Sequence, residues 1–229
     1  MASDNYVEVN DIQKIWQDAC SNCEVSGVDT KKWWEIIHSR YSEKTRHYHT
    51  LKHIGHMLWL MNTDQTVSNN ILDSTSMTFA VFFHDLIYDP LSKENEDKSA
   101  EAFSSFFKEA NVQSVECSVV VDYIAATKTH STDEHKIDGN WGATDLHLFL
   151  DLDMAILSVN PVEYNLYATN IRKEYSHFAE DVYCKGRAQV LENFLSHRVY
   201  CCQDTYKTWE NNARHNISTE ITKLRHKLM

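Results

Sequence analysis

Glycine and proline are scarce, with five and two copies in 229 residues. Sheets with many tight turns draw heavily on both, so an all-β architecture is not expected and helices are favoured. A block of five or more Lys and Arg is also missing, and 22 basic residues against 33 acidic ones leave a formal charge of −11 with His neutral. Without a basic footprint, neither nucleic acid nor an anionic membrane is an expected partner, which leaves small ligands and proteins. No stretch reaches the roughly 18 apolar residues of a membrane span, and the opening MASDNYVEVNDIQ lacks the basic and apolar regions of a secretory leader. A soluble, cytoplasmic protein is expected. Six cysteines include one C-x-x-C, Cys20 and Cys23, but no second pair at zinc-finger spacing, so they are read as reduced structural thiols. Nothing suggests a nucleophilic Cys or a Ser triad.

Hydrophobic residues make up 42% of the chain and recur with helical periodicity from end to end, enough for one all-α domain with a sizeable core. The spacing of Tyr206, Ala213, Ile217, Ile221, Leu224 and Leu228 predicts one long C-terminal helix. Similar stripes run through Ala100, Phe103, Phe107 and Ala110, through Val112, Val115, Val119 and Tyr123, and through Tyr164, Tyr167, Ile171 and Tyr175. The last of these opens with Asn160 as N-cap, Pro161 at the first helical position and Glu163 as capping-box acid. Residues 1–45 read as two further helices packed on a main body at 46–229, with Trp33, Trp34, Ile36, Ile37 and Tyr41 supplying apolar surface. The polar interruption at 129–145 is a long loop placed to cover a site.

Three blocks carry candidate chemistry. In RHYHTLKHIGHM, residues 46–57, the segment from Thr50 reads as a helix, and His49 and His53 are four residues apart. One helical turn would put them on the same side, with Cβ atoms about 6 Å apart and with His47 and His56 pointing off that face. In AVFFHDLIYDP an apolar run ends abruptly in His84 and Asp85. Burying that pair costs several kcal/mol unless each group is paired or bound to a cation, and a metal answers both needs. In LHLFLDLDMAIL, Asp151 and Asp153 interrupt another apolar run. Mixed imidazole and carboxylate donors suit Mn, Fe, Co, Ni or Zn better than Ca.

The order His, His-Asp, Asp on consecutive helices resembles the HD superfamily of metal-dependent phosphohydrolases, in an uncharacterised branch. The likeness runs through RHYHTLKHI, FHDLIYDP, NEDKSAEAF, ATKTH, FLDLDMAIL, IRKEY and GRAQVLENFL to ARHNISTEI, about residues 40–222. It implies a single HD-type helical domain with an N-terminal extension, and a metal quartet of His53, His84, Asp85 and one of Asp151 or Asp153. Asp153 is preferred because the family's last aspartate follows a small or apolar residue at a helix start, as in Leu152-Asp153-Met154. YHTLKHI is also similar to the tyrosine-histidine start of the cyclic-nucleotide phosphodiesterases, which implies His49 as the acid and His53 as the ligand.

The implied reaction is hydrolysis of a nucleotide or other small phosphate ester, with one ion expected rather than two. A bound metal lowers the pKa of water from ~15.7 toward ~7. Asp85 would orient the nucleophile, His49 would protonate the leaving oxygen, and cations would meet the phosphoryl charge. Lys128 and Arg46 are the first such candidates, followed by Arg187, Arg214 and Arg172. His130 is a candidate ligand for a second ion, while Asn95, Glu96 and Ser99 either close the pocket or cap a helix. The competing expectations are an HD-fold di-iron oxygenase and a non-catalytic ligand-binding protein. Sequence fixes neither the substrate nor the oligomeric state.

Overall fold

The computed structural model describes residues 7–228; the first six residues of the segment read for a leader, and Met229, lie outside it. Among the described residues there are twelve α-helices, one 3-10 segment and no strand, as the shortage of glycine and proline leads one to expect. None of these helices is long and apolar enough to cross a membrane. The chain forms two compact units, Met1–His130 and Ser131–Met229.

The first unit holds α1 (Val9–Asn22), α2 (Gly27–Tyr41), α3 (Leu51–Thr63), the short α4 (Gln65–Ser68), α5 (Ser74–Phe83), α6 (Asn95–Glu109) and α7 (Cys117–Ala126). Its centre is α5, which has no polar face: every residue from Ser76 to Phe83 is buried. Asp73 starts this helix by accepting from the backbone N–H groups of Thr75 and Ser76, the usual way a carboxylate satisfies orphan donors at a helix start. Trp16 of α1 lies edge-on to Phe82 at 5.3 Å and against Phe106 of α6 at 5.2 Å, and Trp33 of α2 adds contacts to Phe83 and Phe106. α1 and α2 share one aromatic core with α5 and α6. The stripe from Val112 to Tyr123 needs correction. Val112 and Val115 precede α7, which begins only at Cys117, although Val112 is buried all the same.

The second unit holds α8 (Asp133–Lys136), α9 (Asp145–Asp153), a 3-10 turn (Met154–Ser158), α10 (Pro161–Glu174), α11 (Glu180–Leu195) and α12 (Gln203–His226). Asn160 caps α10 as expected, its side chain accepting from the N–H groups of Val162 and Glu163. On α12, Ala213, Ile217, Ile221 and Leu224 are buried as the spacing predicts, whereas Leu228 lies past the helix end and is exposed.

The 129–145 segment is not a structureless loop. Its second-unit part contains α8 and is tied down by Arg198, whose guanidinium donates to the carbonyls of Glu134, Ile137 and Asn140 and lies 4.1 Å from the Trp141 ring centroid. Gly142 donates to Cys201 O at 3.1 Å. Only glycine fits there, because a Cβ would come 2.4 Å from the His147 ring and 2.7 Å from Cys201 Sγ. A segment fastened this way is a packed part of its unit, which removes the physical basis for reading it as a mobile cover.

His135 sits under this segment. Its Nδ1 accepts from the Thr132 N–H at 3.0 Å, which requires an unprotonated nitrogen. Burial, with the nearby His197, His147 and Arg198, pushes the imidazole down to about 4 from 6.5. Between those values the unfolded chain binds the extra proton, so the His135 contribution is complete above pH 6.5 and is lost as the pH falls toward 4. Urea denaturation at pH 7 and 4.5 should show that His135→Gln loses less stability on acidification than the wild type, by up to about 3 kcal/mol. Equal losses would show that His135 does not carry this dependence.

Candidate metal centre

Thr50 caps α3 by accepting from the Lys52 N–H, so the helix starts at Leu51 and His53 falls in its first turn. His49 therefore precedes the helix, and the reading of His49 and His53 as one helical turn apart is corrected. The two imidazoles converge all the same. The Nε2 atoms of His49 and His53 lie 3.9 and 4.0 Å from Asp85 Oδ2. His49 rests on Tyr88, with ring centroids 4.2 Å apart. His47 is exposed, as expected of a surface residue. His56 stacks over Trp59, and burial together with His53 lowers its pKa to about 4, so it is neutral at physiological pH.

His84 is the C-cap of α5, and its position at the end of an all-buried helix makes it 1% exposed; His53 is 3% exposed. Asp85 and His49 lie nearer the surface, with side chains 19% and 18% exposed. His84 Nδ1 is 3.0 Å from the Val81 carbonyl, which can only accept, so the ring proton is assigned to Nδ1 and Nε2 of the neutral ring is a lone pair. That lone pair faces His53 Nε2 at 3.1 Å and Asp85 Oδ2 at 3.1 Å. A neutral imidazole nitrogen and a carboxylate oxygen repel at this distance unless a cation or a proton lies between them. His53 Nδ1 lies 3.1 Å from the Tyr48 hydroxyl, which orients the ring and can either donate or accept. An outer hydrogen bond on the far ring nitrogen is the arrangement that turns Nε2 toward a metal.

These separations fit one ion. Two ligands each about 2.0–2.1 Å from a metal stand about 2.9–3.4 Å apart at square to tetrahedral angles and no more than about 4.2 Å apart at any angle. The two 3.1 Å separations lie in the first range and the 4.0 Å separation within the second. Two neutral imidazoles and a carboxylate form a donor set for a divalent transition metal.

Arg46, expected at the substrate, is instead inside the structure. Its side chain is 0% exposed and donates to Asp85 O at 2.6 Å, Leu86 O at 2.8 Å and His49 O at 3.4 Å, with Nε 3.3 Å from Glu43 Oε2. A guanidinium so committed cannot also face a phosphate. The rest of the His-Asp segment is held by α6: Ser99 Oγ accepts from Ile87 N–H, and Asn95 bonds both backbone groups of Asp89. Asn95 and Ser99 thus secure this loop, a role that neither pocket closure nor capping describes.

The other expected cations also have partners. Lys128 pairs with Asp97 at 2.8 Å on the surface, which raises the lysine pKa. Arg187 pairs with Glu220 at 2.9 Å and donates to the Tyr167 hydroxyl. Arg214 pairs with Glu210 at 2.7 Å and donates to the carbonyls of Leu195 and His197, while Arg172 pairs with Glu180. The substrate-binding expectation for Arg187 and Arg214 is corrected for the same reason as Arg46: both guanidinium groups hold buried carboxylates or carbonyls of their own unit. His130 ends the first unit with a left-handed backbone, φ 49°.

The two aspartates of α9 are distinguished within their own unit. Asp151 is fully buried and accepts from Cys201 N–H at 2.7 Å, Cys202 N–H at 2.9 Å and the Thr205 hydroxyl. It is a structural carboxylate that closes the turn before α12. Asp153, half-buried, is the last residue of α9 and leads into the 3-10 turn, so it closes an α-helix where the resemblance implies the start of one.

Sequence reading missed Tyr48 and Tyr88 as partners of the histidines and Ser99 as the clamp on Ile87. Only Tyr48 left a signal, as the tyrosine of the YHTLKHI block. For Asp151→Asn, an amide NH₂ would be forced against N–H donors, and chemical denaturation should show a loss of about 2–4 kcal/mol. Unchanged stability would remove Asp151 from its structural role. Compared with family models, curated proteins and solved structures, the chain finds no match.

Proposed function

We propose that the chain is a metal-dependent phosphohydrolase of the HD type, acting on a nucleotide or another small phosphate ester. The observation that carries this reading is the His84 Nε2 lone pair held 3.1 Å from both His53 Nε2 and Asp85 Oδ2, with its proton fixed on the opposite nitrogen. In this reading His53, His84 and Asp85 of the first unit hold one divalent transition metal. Asp151 is not the aspartate that the family resemblance implies, because its carboxylate already serves three donors within its own unit.

The metal, when bound, supplies a hydroxide-like nucleophile at neutral pH and a positive charge for the phosphoryl oxygens. Asp85 fixes the approach of the attacking water through its carboxylate. His49, at the outer edge of the group and braced by Tyr88, carries the proton that passes to the leaving oxygen. Arg46, Arg187 and Arg214 are bound up in the fold, so positive charge for the substrate comes mainly from the metal and from protonated His49. Lys128 is left with a supporting role at most, through its exposed pair with Asp97.

Elemental analysis of the purified protein, followed by phosphate release from a nucleotide panel with added Mn, Fe, Co, Ni or Zn, tests the reading. His84→Ala and Asp85→Ala should lose metal and activity together. His49→Gln should keep the metal and lose about 10²–10⁴-fold in kcat. Full metal content with full turnover in the His84 variant would defeat the assignment. Two irons per chain with oxygen consumption would replace it with an oxygenase.

A further inference from the structure

We propose that Arg46 is a positioning residue for the metal centre, a guanidinium that holds the segment carrying His49 and the turn carrying His84 and Asp85 in fixed relation. The inference rests on reading that centre as a metal site. These two segments lie about 35 positions apart in the chain, and Arg46 Nη1 is shared between them, donating to His49 O and Asp85 O. Nη2 takes the next carbonyl, Leu86 O. The carbonyls of Asp85 and Leu86 lie just past the end of α5, where the helix supplies no further donor and where a positive charge is favourable to the helix dipole.

The side chain has little freedom to leave. It lies over the Tyr41 ring at 5.0 Å and the Tyr88 ring at 5.5 Å, and Glu43 balances its charge. Tyr88 in turn carries His49 on its face, so the same guanidinium braces the imidazole through its backbone carbonyl and through a ring contact. A planar fork can serve adjacent carbonyls in two segments at once. A lysine ammonium, a point donor on a flexible stem, cannot reproduce that geometry. Arg46 touches neither the metal nor the substrate in this account, and its effect passes through the ligands it places.

The test uses the full chain. Arg46→Lys should stay folded by circular dichroism, bind Co²⁺ at least 10-fold more weakly and give an altered visible Co²⁺ spectrum; unchanged affinity and spectrum would overturn the proposal. A second measurement on the wild type covers a Lys variant that fails to fold. Slowly rotating, slowly exchanging Arg46 Nη–H signals in ¹⁵N-resolved spectra should shift when Zn²⁺ is added, and one averaged, metal-insensitive signal would overturn the proposal. A wild-type chain that takes up neither metal defeats the metal reading itself. In that case the Nη–H signals of the metal-free protein still report whether the clamp between the two segments exists.

Discussion

The structure of the first unit depends on one constraint: α5 has no face for solvent, yet it ends in an imidazole and a carboxylate. A helix buried on all sides is a good core element only as long as its residues are apolar, and desolvating His84 and Asp85 works against folding. Everything around the pair reduces that cost. Val81 lends its carbonyl to one ring nitrogen, His53 and Asp85 crowd the other, and Arg46 and Ser99 satisfy the backbone of the following turn. The His84 Nε2 lone pair stands 3.1 Å from the Asp85 carboxylate, a contact that is unfavourable unless a cation or a proton lies between the two groups. It is also the contact that a divalent cation makes favourable, which ties the stability of the turn to its proposed chemistry.

The same economy governs the basic residues. A chain with 22 basic and 33 acidic residues has carboxylates to spare, and the surface pairs of Lys128 and Arg172 are of the weak, exposed kind. The arginines tied into the fold do different work. Arg46, Arg198 and Arg214 donate to runs of backbone carbonyls at helix ends and connections, and Arg187 matches the buried Glu220. With so few glycines to end helices in self-satisfied turns, arginine forks take over part of that duty. An arginine beside a candidate site is therefore more readily a brace than a substrate contact in this fold, and charge compensation in the proposed reaction shifts to the metal.

Legibility of the sequence follows the range of the interaction. Helical content, the α10 cap and the α12 stripe depend on neighbours within about a turn or two, and each can be read from spacing. The apolar run before His84 announces a buried helix because nothing else accommodates Ala80 to Phe83. Features that need a distant partner stay hidden. The burial of Arg46 depends on carbonyls at 85 and 86, and the ordering of 131–145 depends on Arg198. His49 shows a subtler failure: its spacing from His53 suggests a shared helical face, but Thr50 takes the N-cap and the helix starts at Leu51, two residues past His49. The two rings still meet near Asp85, so a correct neighbourhood comes from an incorrect geometry.

The pair Asp151 and Asp153 shows how local geometry and distant partners combine. Two residues along a helix turn by about 200°, so carboxylates at these positions point to nearly opposite sides and cannot serve the same partners. The side of α9 occupied by Asp151 is fixed by Cys201, Cys202 and Thr205, which together supply three donors to a fully buried carboxylate. That commitment turns Asp153 away from the 201–205 segment and places it at the junction with the 3-10 turn, half-buried. Periodicity alone leaves the two aspartates equivalent, because the run LHLFLDLDMAIL is apolar around both. The asymmetry comes from residues some 50 positions later, which commit Asp151 to holding the unit together and give Asp153, two residues on, no part in that duty.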